Sequence, residues 1–496
     1  MYNVNVKIIR FCGTLRRKAV DKFFKIKERG SNVRTEIIAG LTTFFAMAYI
    51  VVTNPNQIVS FSHLADGADP AFQQIWNAVY VASIIAAVIG TMLMSLYAKM
   101  PFAQACGMGL NSFFFVSFIL PHVIMGDGSD GLIRGYQSGL VIILVSGLIF
   151  LVLSVSGLRT KIAKALPDCL KKAIPAGIGL FIAFLGFQNA GILQDNPYTL
   201  LQFVDIHGAI AAKEFIAVVP ALLALCGLIL LAILEKFNVK GSVLISIVAI
   251  TVLYYITTGS TPNFDLGQIG QTFKDFGSIG ITGIFHGQAW ADAFTGEAIG
   301  GIFSAIMLIV TFCLVDMFDT IGTLYGAASQ ANMLDENGDP VNVNQCMTCD
   351  SVATVAGAVC GTSTCTTFVE SASGVAAGGR TGLTSMVTAL CFAVCLFLSP
   401  LASLVPSCAT APALIYVGVL MLKGFANVDM NDMRSAVPAF LALVMMPLTY
   451  SISNGIGIGA IAYVIITLCT GKYKKSDIPV TVIAALFVLR FAAVTM

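Results

Sequence analysis

The sequence predicts an all-α polytopic membrane protein, and three observations carry that reading. Hydrophobic residues make up 57% of the chain and charged ones 11%, with a mean hydropathy of +0.86; a soluble globule carries roughly 25% charged residues. The apolar runs are of helix length, whereas strands of a spanning barrel would read as alternating segments of about ten residues. Basic residues gather at one end, where Lys7 to Arg34 holds ten Lys or Arg against Asp21 and Glu28. Such an excess marks the cytoplasmic side. The first residues lack an apolar core followed by a small-residue cleavage site, so the first hydrophobic span is expected to direct insertion.

In chain order, apolar runs between Lys- and Arg-bearing breaks give spans near 37–60, 75–98, 108–120, 135–156, 174–193, 215–235 and 240–258. A polar loop with Asn263, Asp265, Lys274 and Asp275 follows. Further spans lie near 298–328, 346–360, 369–378, 383–404, 411–425, 435–452 and 454–470. Seven and seven make fourteen crossings, which return the C-terminus to the cytoplasm beside "GKYKK" at 471–475. The basic breaks at 157–172 and 235–241 fall on that same side; the break at 329–345, with "DENGD" and no Lys or Arg, departs from the rule. The apolar tail at 478–495 reads as an interfacial or packing helix. The organisation expected is a basic cytoplasmic segment at 1–35, a first repeat at 36–260, a second at 290–470 and a cytoplasmic or interfacial tail at 471–496. Thirteen cysteines scattered through the spans read as small apolar filler without a disulfide framework.

An odd number of spans per repeat forces two copies into opposite orientations. Three faint matches in a common order support such a repeat. "EIIAG" (36–40) recurs as "EAIGG" (297–301), "PFAQACGMGLN" (101–111) is followed by 361–371, and Pro175 with "GFQN" is echoed by Pro412 with "GFAN". The offsets are 237 to 261 residues. In each half the third span is defective, because 101–111 and 361–371 set polar and small residues where an unbroken apolar helix should begin. Such backbone survives at membrane depth only when buried in protein or lining a cavity. A corresponding pair of interruptions points to a midplane binding site. Thr364, Thr366 and Thr367 favour a short strand ahead of the second half-helix.

Glu370 falls at the start of that half-helix, where free N–H groups favour its charge and desolvation opposes it. Asn111 holds nearly the equivalent place 259 residues earlier, facing it across a pseudo-two-fold. Asp316 and Asp319 in "LVDMFDTIGT" are spaced i, i+3 and share one face of the eighth span. Carboxylates inside spans are costly and mark function. Asn111 suits an interhelical hydrogen bond as well as a ligand, and Glu370 a helix cap as well as a site. Phe44, Phe45, Phe318 and Phe368 are candidate walls for a flat ring, or ordinary packing.

The strings "GLTTFFAMAYIVVTNP", "CGMGLN", "DMFDTIGTL" and "TFVESASGVAAGGRTGLT" resemble the AzgA-like purine permeases, the hypoxanthine/adenine/guanine branch of the nucleobase:cation symporters, over residues 34–470. The resemblance implies fourteen spans in two inverted seven-span repeats. These divide into a core domain (spans 1 to 4 and 8 to 11) and a gate domain (spans 5 to 7 and 12 to 14). Short strands precede half-helices 3 and 10, with substrate between them. It further implies that Asn111, Asp316, Asp319 and Glu370 are the family's third-span Asn, two eighth-span acids and tenth-span Glu. Cys106 stands where a small or proline residue is expected, and Ser112 replaces a commoner Ala.

The chemistry agrees. A carboxylate accepts two parallel hydrogen bonds from the N–H edge of a purine, and an Asn donates and accepts at another edge. Phe368 would wall the ring. Asp316, Asp319 and Glu370 are the candidates to load and release a coupling proton; sodium, which wants several oxygen ligands, is the less favoured ion. The expectation is a secondary active transporter, not an enzyme, with no cofactor and no nucleic-acid partner. It would import purine nucleobases with protons by alternating access across the plasma membrane, guanine and hypoxanthine ahead of adenine, with a homodimer left open. The alternative is an anion or other nucleobase (uracil or xanthine) transporter of the same architecture. An anion site would leave its half-helix starts neutral, which Glu370 argues against. A channel would need a continuous polar pore, and an enzyme a nucleophile-and-base or metal-ligand set.

Overall fold

The computed structural model describes residues 21–59, 69–156, 167–196, 198–212, 215–262, 264–330, 333–334 and 340–493. The first twenty residues of the basic N-terminal segment, the 157–166 part of the basic break, Asn263, the "DENGD" stretch and the Phe318 side chain lie outside the described residues.

Long apolar runs with few internal breakers fold as helices, and the breakers set their ends. Helix α1 (Val33–Met47) starts where Asn32 accepts the Thr35 N–H, and continues after a turn at Ala48–Tyr49 as α2 (Ile50–Ile58). Helix α3 (Pro70–Leu93) starts on an Asp69 cap with proline in its first turn, as orphan N–H groups favour. Strand β1 (Gln104–Cys106) leads into the short α4 (Met108–Phe114), prolonged by a π-turn at Phe115–Ile119 into α5 (Leu120–Met125). Then come α6 (Gly128–Val155) and α7 (Asp168–Asn189), a hairpin of β2 (Leu193–Asn196) and β3 (Leu200–Phe203), and α8 (Ile206–Ala211), α9 (Phe215–Lys236) and α10 (Ser242–Thr258). Two short helices, α11 (Gly267–Asp275) and α12 (Gly287–Thr295), join the inverted repeats.

The second repeat runs α13 (Gly301–Gln330), α14 (Val343–Cys360), β4 (Cys365–Thr367), α15 (Ser371–Ala376), α16 (Gly382–Cys395), the single turn α17 (Ser399–Ala402), α18 (Ser407–Leu422), α19 (Met433–Leu448) and α20 (Ile452–Cys469). Helix α21 (Ile478–Ala493) packs back on α20. Among the described residues nine helical segments are long and apolar enough to cross a membrane, and α10, α16 and α19 are shorter apolar helices. Helix α14 and the β4–α15 unit take the two remaining places where the sequence predicted crossings. The hairpin after α7 was not anticipated; Asn196 holds its turn by accepting the N–H groups of Tyr198 and Thr199 at 2.8 and 3.1 Å. The second half-helix is also shorter than the predicted 369–378, closing at Ala376 before Gly378 turns the chain with φ +102°.

Two packed groups result. In one, α1 packs on α15 and α16, α3 on α14 and α16, and α6 on α13 and α14. In the other, α7 packs on α18 and α19, α9 on α10 and α18, and α19 on α20. They meet where α4 and α13 lie against α7. At that crossing Gly109 is required, because a Cβ there would come within 2.3 Å of Ile178 Cγ2.

The first group is locked by a buried acid. Glu36, with no exposed surface, accepts the Arg380 N–H at 3.0 Å, the Thr381 N–H at 3.2 Å and the hydroxyls of Thr381 and Thr384 at 2.8 and 2.6 Å. It thereby ties α1 to the start of α16. Glu36→Ala strands four donors, so it should destabilise the detergent-purified protein by about 3 kcal/mol. An unchanged melting temperature would show that these bonds carry no stability.

Candidate functional site

The site is built around a two-stranded ribbon. Strands β1 and β4 pair antiparallel with Gln104 opposite Thr367, Ala105 opposite Thr366 and Cys106 opposite Cys365. The Gly107 N–H to Thr364 C=O bond (2.9 Å) and the Phe368 N–H to Ala103 C=O bond (3.0 Å) extend it at both ends. In antiparallel pairs hydrogen-bonded and non-bonded positions alternate, so Gln104 and Cys365 turn their amides away from the partner strand. A threonine meets each. Thr91 of α3 accepts the Gln104 N–H and donates to its carbonyl, both at 3.0 Å. Thr354 of α14 accepts the Cys365 N–H at 3.1 Å and lies 3.0 Å from its carbonyl.

A cavity of about 960 Å³ runs from the ends of α7, α9 and α18, where Lys171, Lys172, Lys240 and Lys423 line it, down to Asp319 and Glu370. There it adjoins a small chamber of about 50 Å³ walled by Asp319, Thr323, Thr366, Phe368, Glu370 and Val417. The structure thus brings Asp319, Phe368 and Glu370 of the sequence-derived set together.

The other two lie elsewhere. Asn111 is fully buried and turned into a network behind the ribbon: its amide donates to Asn54 and, at 3.2 Å, to Gln57, and its carbonyl accepts the Ser363 hydroxyl. Asp316, 2% exposed, accepts the Thr354 hydroxyl at 2.8 Å, and its Oδ1 has no hydrogen-bond partner among the described residues. The i, i+3 spacing put both aspartates on one side of the helix, yet only Asp319 reaches the cavity. Of the candidate walls, Phe44 packs against Phe45 and Phe392 instead of lining the cavity.

Glu370 does not cap α15. Its carboxylate accepts the Tyr49 hydroxyl at 2.7 Å. Tyr49, 1% exposed, sits at the turn between α1 and α2, which aims its ring across the bundle. Nothing in a run as apolar as "FFAMAYIVV" singles it out. Also unanticipated are Tyr416 and Glu235, which line the cavity from the second packed group, Glu235 accepting the Ser242 hydroxyl. Asp350, a fully buried acid of α14, takes hydrogen bonds from Gln104 (3.1 Å) and Thr320. Its position in a span was the available signal.

Tyr49→Phe removes the donor and keeps the ring. It should lower stability by about 1 to 2 kcal/mol, measured as a lower melting temperature in detergent. A melt identical to wild type would mean that Tyr49 does not hold Glu370.

Comparison with known proteins agrees with this architecture. A family model described as "Permease family" matches residues 34–458. The guanine/hypoxanthine permease PbuG of Bacillus subtilis (strain 168) is 40% identical over 455 residues, covering 91% of this chain and 95% of that protein. The adenine permease AdeQ of Escherichia coli (strain K12) is 37% identical over 479 residues, covering 96% of each. The transmembrane domain of the cyanobacterial bicarbonate transporter BicA matches with a TM-score of 0.54 at 15% identity, covering 85% of this chain and 97% of that one. That last likeness is one of fold. Matched by the family model over most of its length and by permeases nearly end to end, the chain belongs to the permease family.

Proposed function

We propose that the protein is a secondary active transporter that imports purine nucleobases together with protons by alternating access across the plasma membrane, both termini cytoplasmic. The observation that carries this reading is the convergence of Asp319, Phe368 and Glu370 on the small chamber that adjoins the cavity, beside the paired strands. A flat, N–H-bearing heterocycle needs an aromatic wall and charged acceptors, and these residues supply both. The names of PbuG and AdeQ, guanine/hypoxanthine and adenine permeases, support a purine. The cavity's mouth, lined by lysines of the breaks that the positive-inside rule assigns to the cytoplasm, supports an inward-open state.

In this reading Glu370 binds the purine. One oxygen accepts Tyr49, which leaves the other for a ring N–H. Guanine and hypoxanthine offer such an N–H beside a carbonyl, whereas adenine offers an unprotonated nitrogen beside an amine, so the oxopurines are the favoured substrates. Asp319, on the cavity, assists binding; Asp316, behind it, carries the coupling proton. Like charges in a low-dielectric site cannot all ionise together, so one acid stays protonated near neutral pH. An anion transporter of the same architecture is the rival reading, and the carboxylates of Asp319 and Glu370 at the inner end of the cavity oppose it.

Glu370→Gln removes a charge-assisted contact worth about 2 kcal/mol, so purine Kd should rise roughly 30-fold. Normal binding by the variant would reduce Glu370 to a structural part. Asp316→Asn should abolish accumulation against a gradient and spare downhill exchange, while Asp319→Asn should weaken both. Uptake in proteoliposomes separates these outcomes, and a pair of variants that both still concentrate purine would refute the division. In competition for labelled hypoxanthine, guanine should displace far better than adenine or bicarbonate. Adenine winning that competition would overturn the oxopurine preference.

A further inference from the structure

We propose that Thr354 is the positioning residue through which the proton on Asp316 sets the geometry of the purine site; this rests on the proton-coupled reading above. The Thr354 hydroxyl has one proton and two acceptors within reach, Asp316 Oδ2 at 2.8 Å and the Cys365 carbonyl at 3.0 Å. The same oxygen accepts the Cys365 N–H at 3.1 Å. One proton cannot serve both acceptors at full strength. When Asp316 is ionised, its charge draws the hydroxyl, since charge-assisted bonds are the stronger ones, and the Cys365 carbonyl loses its partner on that edge. When Asp316 is protonated, its own O–H donates to Thr354 and the hydroxyl turns to the carbonyl. Oδ2 of Asp316, the Thr354 hydroxyl and both amide groups of Cys365 are then paired.

The carbonyl concerned belongs to the strand that runs directly into Phe368 and Glu370, so the state of Asp316 reaches the site without touching substrate. The proton exchanges between water and Asp316, and no covalent bond of the chain changes. The titratable groups around Asp316 are Cys313 and Asp319 on its own helix and Cys365 on β4, with Asp350 of α14 beyond Cys365. The partner strand has no such switch. Thr91 makes both of its bonds to Gln104, and the carboxylate nearby, Asp350, is bonded to the Gln104 side chain instead.

The test is purine Kd against pH on the full-length protein in nanodiscs, with proton-driven uptake of labelled hypoxanthine measured in parallel. In wild type, purine affinity should fall as pH rises, approaching tenfold per pH unit, roughly the linkage expected for one coupled proton. Thr354→Val should flatten that slope to under about twofold per unit, because the strand edge no longer senses Asp316. Thr354→Ser, which keeps the hydroxyl, should restore the wild-type slope, and it provides the comparison if the valine variant folds poorly. Asp316→Asn supplies a permanent donor to Thr354, so its Kd should be pH-independent and near the wild-type value at low pH. A valine variant with the wild-type slope, or a serine variant as flat as valine, would overturn the role of Thr354 while leaving proton coupling intact. A wild type whose uptake ignores the proton gradient would overturn the coupled reading, and this inference with it.

Discussion

A two-stranded ribbon has two free edges, and at membrane depth each presents amides that no water reaches; satisfying those edges is the requirement around which the core is assembled. The solution is the same on both sides. A hydroxyl can accept an N–H and donate to a C=O of one residue, and Thr91 and Thr354 are placed to do so for Gln104 and Cys365. Each threonine comes from the helix that precedes the strand within its own repeat, so α3 and α14 must lie within about 3 Å of the ribbon, the reach of a hydrogen bond. Those two helices pack on each other, and α16 and α6 pack on them. The strands are three residues each, too short to hold together alone. They persist because α3 and α14 take up the outward amides of Gln104 and Cys365, and those helices are in turn fixed by the strands.

Four buried or half-buried acids in the same group show that a carboxylate in a span is not by itself a binding site. Glu36 collects four donors from the start of α16 and has no acceptor capacity directed at a cavity. Asp350 bridges Gln104 of β1 to Thr320, whose hydroxyl also lies 2.8 Å from that of Thr366 in β4. Asp316 has one donor and an oxygen without a partner among the described residues. Glu370 has a single side-chain donor among the described residues and lines a cavity. The number of donors supplied by the protein sorts them: the fewer the fixed donors, the more a proton or ligand is needed to complete the group.

Much of this was legible in the chain. Two interrupted spans at matching offsets marked the strands and half-helices, since small and polar residues are costly at membrane depth wherever an unbroken helix faces lipid. Glu370, Asp319 and Phe368 were read onto the site. What stayed hidden depends on direction. Asn111 and Asp316 lie on the expected helices, but a few tens of degrees of rotation decide between cavity and core, and spacing fixes relative positions without fixing which side faces the cavity. Tyr49 was invisible because its role comes from a turn inside an apolar helix. Thr91 and Thr354 were invisible because a threonine in a membrane helix ordinarily bonds to its own backbone. Only the ribbon's register shows which amides need them.

The two halves share a backbone plan and differ in chemistry, and their surroundings give the reason. A side chain at the Asn111 position is enclosed in a neutral buried network, where desolvation disfavours a charge, whereas the Glu370 position opens on a cavity. An amide suits the first setting and a carboxylate the second. Asn111 both donates and accepts, so it joins a neutral network with Asn54, Gln57 and Ser363. Glu370 can only accept, and among the described residues its carboxylate takes the Tyr49 hydroxyl alone. The first half thus contributes the rigid wall of the ribbon, and the second keeps an acceptor incompletely satisfied at the cavity floor. A fold of two like halves can in this way enclose a chemically asymmetric cavity.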